Sequence, residues 1–198
     1  NKVSLTNDLK IDFGQISRAV EKTTARGYKV SMIFLANPNN PTGYAQTTKS
    51  IIEMAMACPE SLVVVSEANI DYVSETALKR MGGTLLDREN IDQLPKNILV
   101  LRSFSKAYGL ADDRVGYAIG DRALLAALRQ RIAPFNMSAH SLIDAIIALD
   151  DNDHVVKSRE HMEREIKKFA ERFKSLGFPN TTESDSNLLI ARVPSYFS

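Results

Sequence analysis

Four short apolar runs, rich in β-branched residues and without polar alternation, constrain the fold of this 198-residue chain more than any other feature. They lie at 30–36, 62–65, 98–101 and 115–119, and stretches of helical spacing occur at 16–25, 48–57 and 122–132. A strand with no polar face must be buried on both sides, which is the habit of central strands in a parallel sheet covered by helices. The alternation predicts an α/β fold, three layers in the order αβα, around a mostly parallel sheet. Thr47 and Asp121 stand where side-chain N-caps belong, just ahead of two of the helical stretches. The segment 75–96, which contains Gly82 and Gly83, reads as loop with a helical piece.

A longer helix is predicted over 153–176, where Val155, Met162, Ile166, Phe169, Phe173 and Leu176 fall on one face, with Gly177 and Pro179 as its stop. The run 187–193 then reads as a strand. This gives a large domain over 1–150, and over 151–198 a linking helix with the beginning of a small C-terminal α+β domain. The chain opens at Asn1 without a methionine and stops after Tyr196, Phe197 and Ser198, so both ends read as truncations.

Composition narrows the class of function. A net charge of +1 offers no electrostatic footprint for nucleic acid or an anionic membrane, and the basic residues of 157–174 alternate with acids as on a solvated helix face. No apolar run is long enough to cross a bilayer, and the single Cys58 has no partner for an internal disulfide. A reducing, cytoplasmic setting is the expectation. His140, His154 and His161 are scattered, so no metal site is expected.

Chemistry-bearing residues gather where the predicted strands end, the edge at which open α/β sheets bind ligands. Directly after the first strand comes Asn37-Pro38-Asn39-Asn40-Pro41-Thr42-Gly43, a turn stiffened by two prolines and rich in amides. After the third strand comes Arg102-Ser103-Phe104-Ser105-Lys106-Ala107-Tyr108-Gly109-Leu110, with Arg114 eight residues past the lysine. A lysine enclosed by a sheet edge and near a guanidinium gives up its proton more readily, and a neutral amine attacks an aldehyde. Hydroxyls and an arginine fork are the donors a phosphate needs. Each cluster alone has a plainer reading, an Asn-Pro turn and a surface lysine. The carboxylates Asp112 and Asp113 read as a solvated turn, and 134–138 as a loop.

In this order and spacing the two clusters resemble the class I and II aminotransferases, fold type I enzymes that depend on pyridoxal 5′-phosphate (PLP), and among them the histidinol-phosphate aminotransferases. The resemblance covers nearly the whole chain. It implies that Lys106 carries PLP as a Schiff base and moves protons, that Asn40 bonds the 3′ oxygen of PLP, and that Ser103, Ser105 and Arg114 hold its phosphate. The 134–138 loop resembles the family's turn near the substrate and the dimer interface. The resemblance also implies amino-acid and 2-oxo-acid substrates and a homodimer. It puts the family's N-terminal arm before Asn1 and the arginine that grips the substrate carboxylate beyond Ser198.

A third cluster, Val64-Val65-Ser66-Glu67-Ala68-Asn69, stands where the family reads Asp-Glu-Ala-Tyr. Ala68 matches and would pack on the ring face. Ser66 and Asn69 depart: a serine cannot pair with the ring nitrogen as the aspartate does, and Asn69 reaches toward the 3′ oxygen less far than tyrosine. Two alternatives to transamination therefore stay open, a related PLP lyase or decarboxylase and a catalytically impaired PLP-binding homologue.

Overall fold

Val63, Val65, Ile98 and Val100 have no exposed surface, and their β-branched side chains fill the centre of a four-stranded sheet. The computed structural model of the chain describes residues 2–178 and 184–193. Strands β1 (Met32–Ala36), β2 (Leu62–Ser66) and β3 (Ile98–Ser103) are parallel, and β4 (Gly116–Gly120) closes the order β1-β2-β3-β4 as an antiparallel neighbour of β3. Register aligns Ile33 with Val63 and Val63 with Ile98, then Leu35 with Val65 and Val65 with Val100. These six side chains form one apolar face. Helices α1 (Phe13–Thr24) and α2 (Thr48–Ala57) cover it through Ile16, Ile51, Met54 and Ala55. Each such side chain contributes roughly 1.5–3 kcal/mol by leaving water.

Thr47 and Asp121 cap α2 and α5 (Arg122–Arg129) as the sequence predicts, accepting bonds from Ser50 and from Ala123 and Leu124. The stretch 75–96 holds two helices, α3 (Glu75–Met81) and the short α4 (Arg88–Ile91). The long helix, α7, spans Asn152–Ser175 and rests against a 3-10 turn at Ile70–Tyr72. Pro179, expected to help end it, lies outside the described residues.

One expectation is corrected. The run 187–193 is not a strand: only Ala191 makes an isolated bridge, and the segment 184–188 is held instead by turn and side-chain bonds to residues 43–45 and 74–80. Helix α6 (Ala139–Asp150) was not visible as a helix because it is apolar on nearly every side. Ala145 packs on Phe104 and Val115, whereas Leu142, Ile143, Ile146, Ile147 and Leu149 remain exposed.

Along the free side of β1 runs a groove of about 760 Å³, lined in part by Leu5, Ile16, Val20, Met32 and Phe34 and reaching Asn39 and Asn40. Among the described residues no helix is long and apolar enough to cross a membrane.

Candidate functional site

Backbone bonds carry the strand register past the ends of the strands. Asn37 N donates to Ser66 O at 2.9 Å, Glu67 N to Leu101 O at 2.9 Å, and Phe104 N to Val115 O at 3.2 Å. Four segments thus leave the sheet side by side: the turn 37–43, residues 66–69, residues 103–110, and the lead-in to β4 that carries Arg114. All the residues singled out in the sequence emerge at the carboxyl edge of the parallel strands, where ligands of such sheets bind.

The asparagines of the first turn divide the work. Asn37 is buried, and its side chain accepts from Gln46 N at 2.8 Å; Asn39 spends its amide on Thr42 Oγ1 at 3.0 Å. Gly43 N closes the turn on Asn39 O at 2.8 Å, with Gly43 at φ +71°, a left-handed value that favours glycine. Both Asn–Pro bonds are cis. Asn40, between them, is exposed, and among the described residues no hydrogen bond engages its amide.

The lysine segment is a compact turn. Ser103 Oγ accepts from Ser105 N at 3.1 Å, Gly109 N donates to Lys106 O at 2.9 Å, and Leu110 N donates to Phe104 O at 3.0 Å. Phe104 and Ala107 are buried and anchor it, with the Phe104 ring 4.9 Å from that of Tyr108. Lys106 is exposed, which corrects the expectation of an enclosed amine: Phe104 and Ala107 anchor the turn inward, and Ser105 and Lys106 between them face outward, half-buried and exposed in turn. The expected guanidinium neighbour is also absent from its contacts. Arg114 Nη1, in a residue at φ +56°, donates to Ala111 O at 2.7 Å, and no hydrogen bond or ion pair among the described residues engages the side-chain amine of Lys106. Asp112 and Asp113 form no ion pair with Arg114 among those residues.

Sequence reasoning passed over the strongest polar contact of this edge. Glu67, with no exposed surface, receives both Arg102 Nε and Arg102 Nη2 on Oε2 at 2.8 Å, and Leu85 N on Oε1 at 3.2 Å. Arg102 Nη1 also lies 3.5 Å from Asp71. Burial pushes the carboxyls of Glu67 and Asp71 above their ordinary range, and Arg102 pulls both the other way. The pair ties the end of β2, which leads to Ala68 and Asn69, to the end of β3, which leads to Lys106. Its signal in the sequence was an arginine at the exit of one buried strand and a glutamate at the exit of the neighbouring one. Ser66 and Asn69 are half-buried and make no side-chain hydrogen bond among the described residues. The edge therefore presents an amine, an amide, hydroxyls and a guanidinium, of which the Lys106 amine, the Asn40 amide and the Ser105 hydroxyl have no hydrogen-bond partner among the described residues.

A sequence profile described as "Aminotransferase class I and II" matches residues 2–195. Histidinol-phosphate aminotransferase 1 of Psychrobacter arcticus is 32% identical over 182 residues, which are 91% of this chain and 45% of that protein. An aromatic amino acid aminotransferase of Nocardia farcinica is 32% identical over 95% of this chain and 49% of its own length. The chain thus spans less than half the length of these curated relatives. Among solved structures, histidinol-phosphate aminotransferase of Sinorhizobium meliloti, in complex with pyridoxal-5′-phosphate, superposes with a TM-score of 0.81 at 25% identity, over 94% of this chain and 47% of that one. L-threonine-O-3-phosphate decarboxylase of Porphyromonas gingivalis has the same fold, with a TM-score of 0.69 over 82% of this chain and 47% of that one, at 20% identity. A match over almost the full chain, with relatives 32% identical over nine-tenths of it, makes this chain a member of the class I and II aminotransferase family.

Proposed function

We propose that the chain forms the PLP-binding part of an aminotransferase that moves an amino group between an amino acid and a 2-oxo acid. Histidinol phosphate is the amino donor best supported by the relatives. The observation that carries this reading is the convergence of Asn40, Ser105 and Lys106 at one sheet edge with no side-chain partner among the described residues. The donor set suits PLP. Lys106 offers an accessible amine for its aldehyde, Asn40 an amide donor for its 3′ oxygen, and Ser103, Ser105 and Arg114 two hydroxyls and a guanidinium for its phosphate.

When bound, the cofactor supplies a sink for the electrons released at a substrate α-carbon. Lys106 is then the residue that holds and moves the proton taken from that carbon. Ala68 packs beneath the ring, and Asn69 offers a second amide. Ser66 is the weak member, since a neutral hydroxyl gives no charge to keep a ring nitrogen protonated, and each pKa unit lost there removes about 1.4 kcal/mol of bias. That departure favours one second reading, a PLP-binding homologue with little turnover. A lyase or decarboxylase would share the same lysine, and product analysis with candidate amino acids separates it from a transaminase.

The division into a large domain at 1–150 and a following unit at 151–198 belongs to the same proposal, as do a cytoplasmic setting and a homodimer. The exposed apolar residues of α6 support the homodimer. The test is to incubate the purified protein with PLP, reduce with borohydride and map the adduct by mass spectrometry. Label on Lys106, lost in Lys106→Ala, is the expected result; label elsewhere, or none, rejects the reading.

A further inference from the structure

We infer that Asp185 is a positioning residue that sets the 37–43 turn, and with it the amide of Asn40, from the part of the chain that follows α7. The inference rests on the reading of Asn40 as a cofactor contact. Asp185 reaches the turn with both backbone and side chain. Its N–H donates to Gly43 O at 3.0 Å, and its Oδ2 accepts from Ala45 N at 2.8 Å and from Arg80 Nη2 at 2.6 Å. Its own carbonyl accepts from Ser74 N at 3.2 Å, at the cap of α3. Arg80 is shared, because it also donates to Ala45 O at 3.2 Å and lies 5.1 Å from the centre of the Tyr44 ring.

These contacts fall on the exit limb of the turn, where β1 has ended and no ladder holds the backbone. The entry limb is tied to β2 through Asn37, and Gly43 closes the tip on Asn39. The exit limb is held by Asn39 N, which donates to Tyr44 O at 2.9 Å, by Asn37, which accepts from Gln46 N at 2.8 Å, and between them by Asp185 and Arg80 at Ala45. An ion pair with Arg80, which is 40% exposed, would by itself contribute little. The bond to Ala45 decides the matter: that residue is fully buried, so removing the acceptor leaves a desolvated N–H without a partner. The approach is also close. A Cβ on Gly43 would meet Ser184 Oγ and Leu188 O, so the 184–188 segment sits directly on the turn. Asn40 occupies the tip of the loop that these contacts close. When the 184–188 segment docks, the tip is held; when it lifts away, Asn40 loses its fixed direction.

The experiment uses the intact protein loaded with PLP itself. Asp185→Ala removes both the charge and the acceptor oxygen that Ala45 N uses. Three quantities are read: hydrogen exchange at Gly43, Tyr44 and Ala45, the dissociation constant for PLP, and the pH at which its visible band titrates. Exchange is expected to speed up about tenfold and PLP binding to weaken about tenfold, the size expected when a buried donor loses its acceptor. The band is expected to shift in the same direction as in Asn40→Ala, with no further shift in the double variant. Arg80→Met is expected to act in the same direction and more weakly, and it serves if Asp185→Ala does not fold. A merely structural staple would lower thermal stability without moving the band. Unchanged exchange overturns the inference, and so do an unmoved band and affinity while Asn40→Ala shifts both. If Asn40→Ala shifts neither, the cofactor reading fails and takes the inference with it, whereas the exchange result still reports on the Asp185 contacts alone.

Discussion

Glu67 and Arg102 form a buried ion pair in which two guanidinium nitrogens meet one carboxylate oxygen at 2.8 Å, joining the ends of two parallel strands. Removing one partner of such a pair leaves the other charge stranded, at a cost of about 3–5 kcal/mol. Glu67→Gln is expected to lower stability by an amount in that range, read from urea unfolding. It should also change the pH dependence. Burial raises the folded carboxyl above its unfolded value, so as pH rises from the ordinary carboxylate range toward the raised value, the unfolded chain releases a proton that the folded chain retains. Glu67 thus contributes stability that is complete below the unfolded value and lost as pH climbs through the folded one. A glutamine at 67 should remove that slope; an unchanged slope would assign it to Asp71.

Ser66 and Asn69 can be returned to the family residues. In Ser66→Asp with Asn69→Tyr, amino-acid-driven bleaching of the PLP band, followed by stopped flow, is expected to quicken at least tenfold. That corresponds to about 1.4 kcal/mol of barrier. If the rate does not rise, some other feature limits turnover.

Gly43→Ala meets two obstacles, a left-handed φ of +71° and the atoms of Ser184 and Leu188. The conformation alone costs roughly 1–2 kcal/mol for a residue with a Cβ. Thermal unfolding should show a loss at least that large. Susceptibility of the 184–188 segment to a protease should rise with it.

Cys58 is 4% exposed, and burial pushes its thiol above the ordinary value. Iodoacetamide is therefore expected to modify it slowly in native buffer and quickly in denaturant, as followed by intact mass. Equal rates in both conditions would contradict the packing of Cys58 beside Ala55 and the end of α2.

The parts of this fold that were legible in the sequence are those in which one local rule decides. The β-branched runs gave the strands to within two residues, although the burial on both faces expected of them holds only for β2 and the first half of β3, while β1 and β4 show residues to solvent. Thr47 and Asp121 were visible as caps because their oxygens serve amides of their own helices. Helix α6 was missed because its eight apolar residues of twelve are spread too widely around it to mark one face. The 187–193 run is β-branched only in part and, apart from the bridge at Ala191, forms no strand among the described residues, so composition suggested a ladder that is not seen there. At the site, residue types and order were readable while direction was not. That Lys106 points outward follows from the burial of Phe104 and Ala107, and the Glu67–Arg102 pair depends on register between strands 35 residues apart in the chain.

Among the described residues β1 has a strand partner on one side only, and Met32 and Phe34, alternating with the buried Ile33 and Leu35, project from the opposite face of the sheet at 56% and 64% exposure. A row of unclaimed amides and carbonyls beside two greasy side chains is a template for strand addition, so copies of this polypeptide should adhere to one another edge to edge as concentration rises. Handling in dilute buffer, or a charged residue in place of Phe34, is the practical remedy.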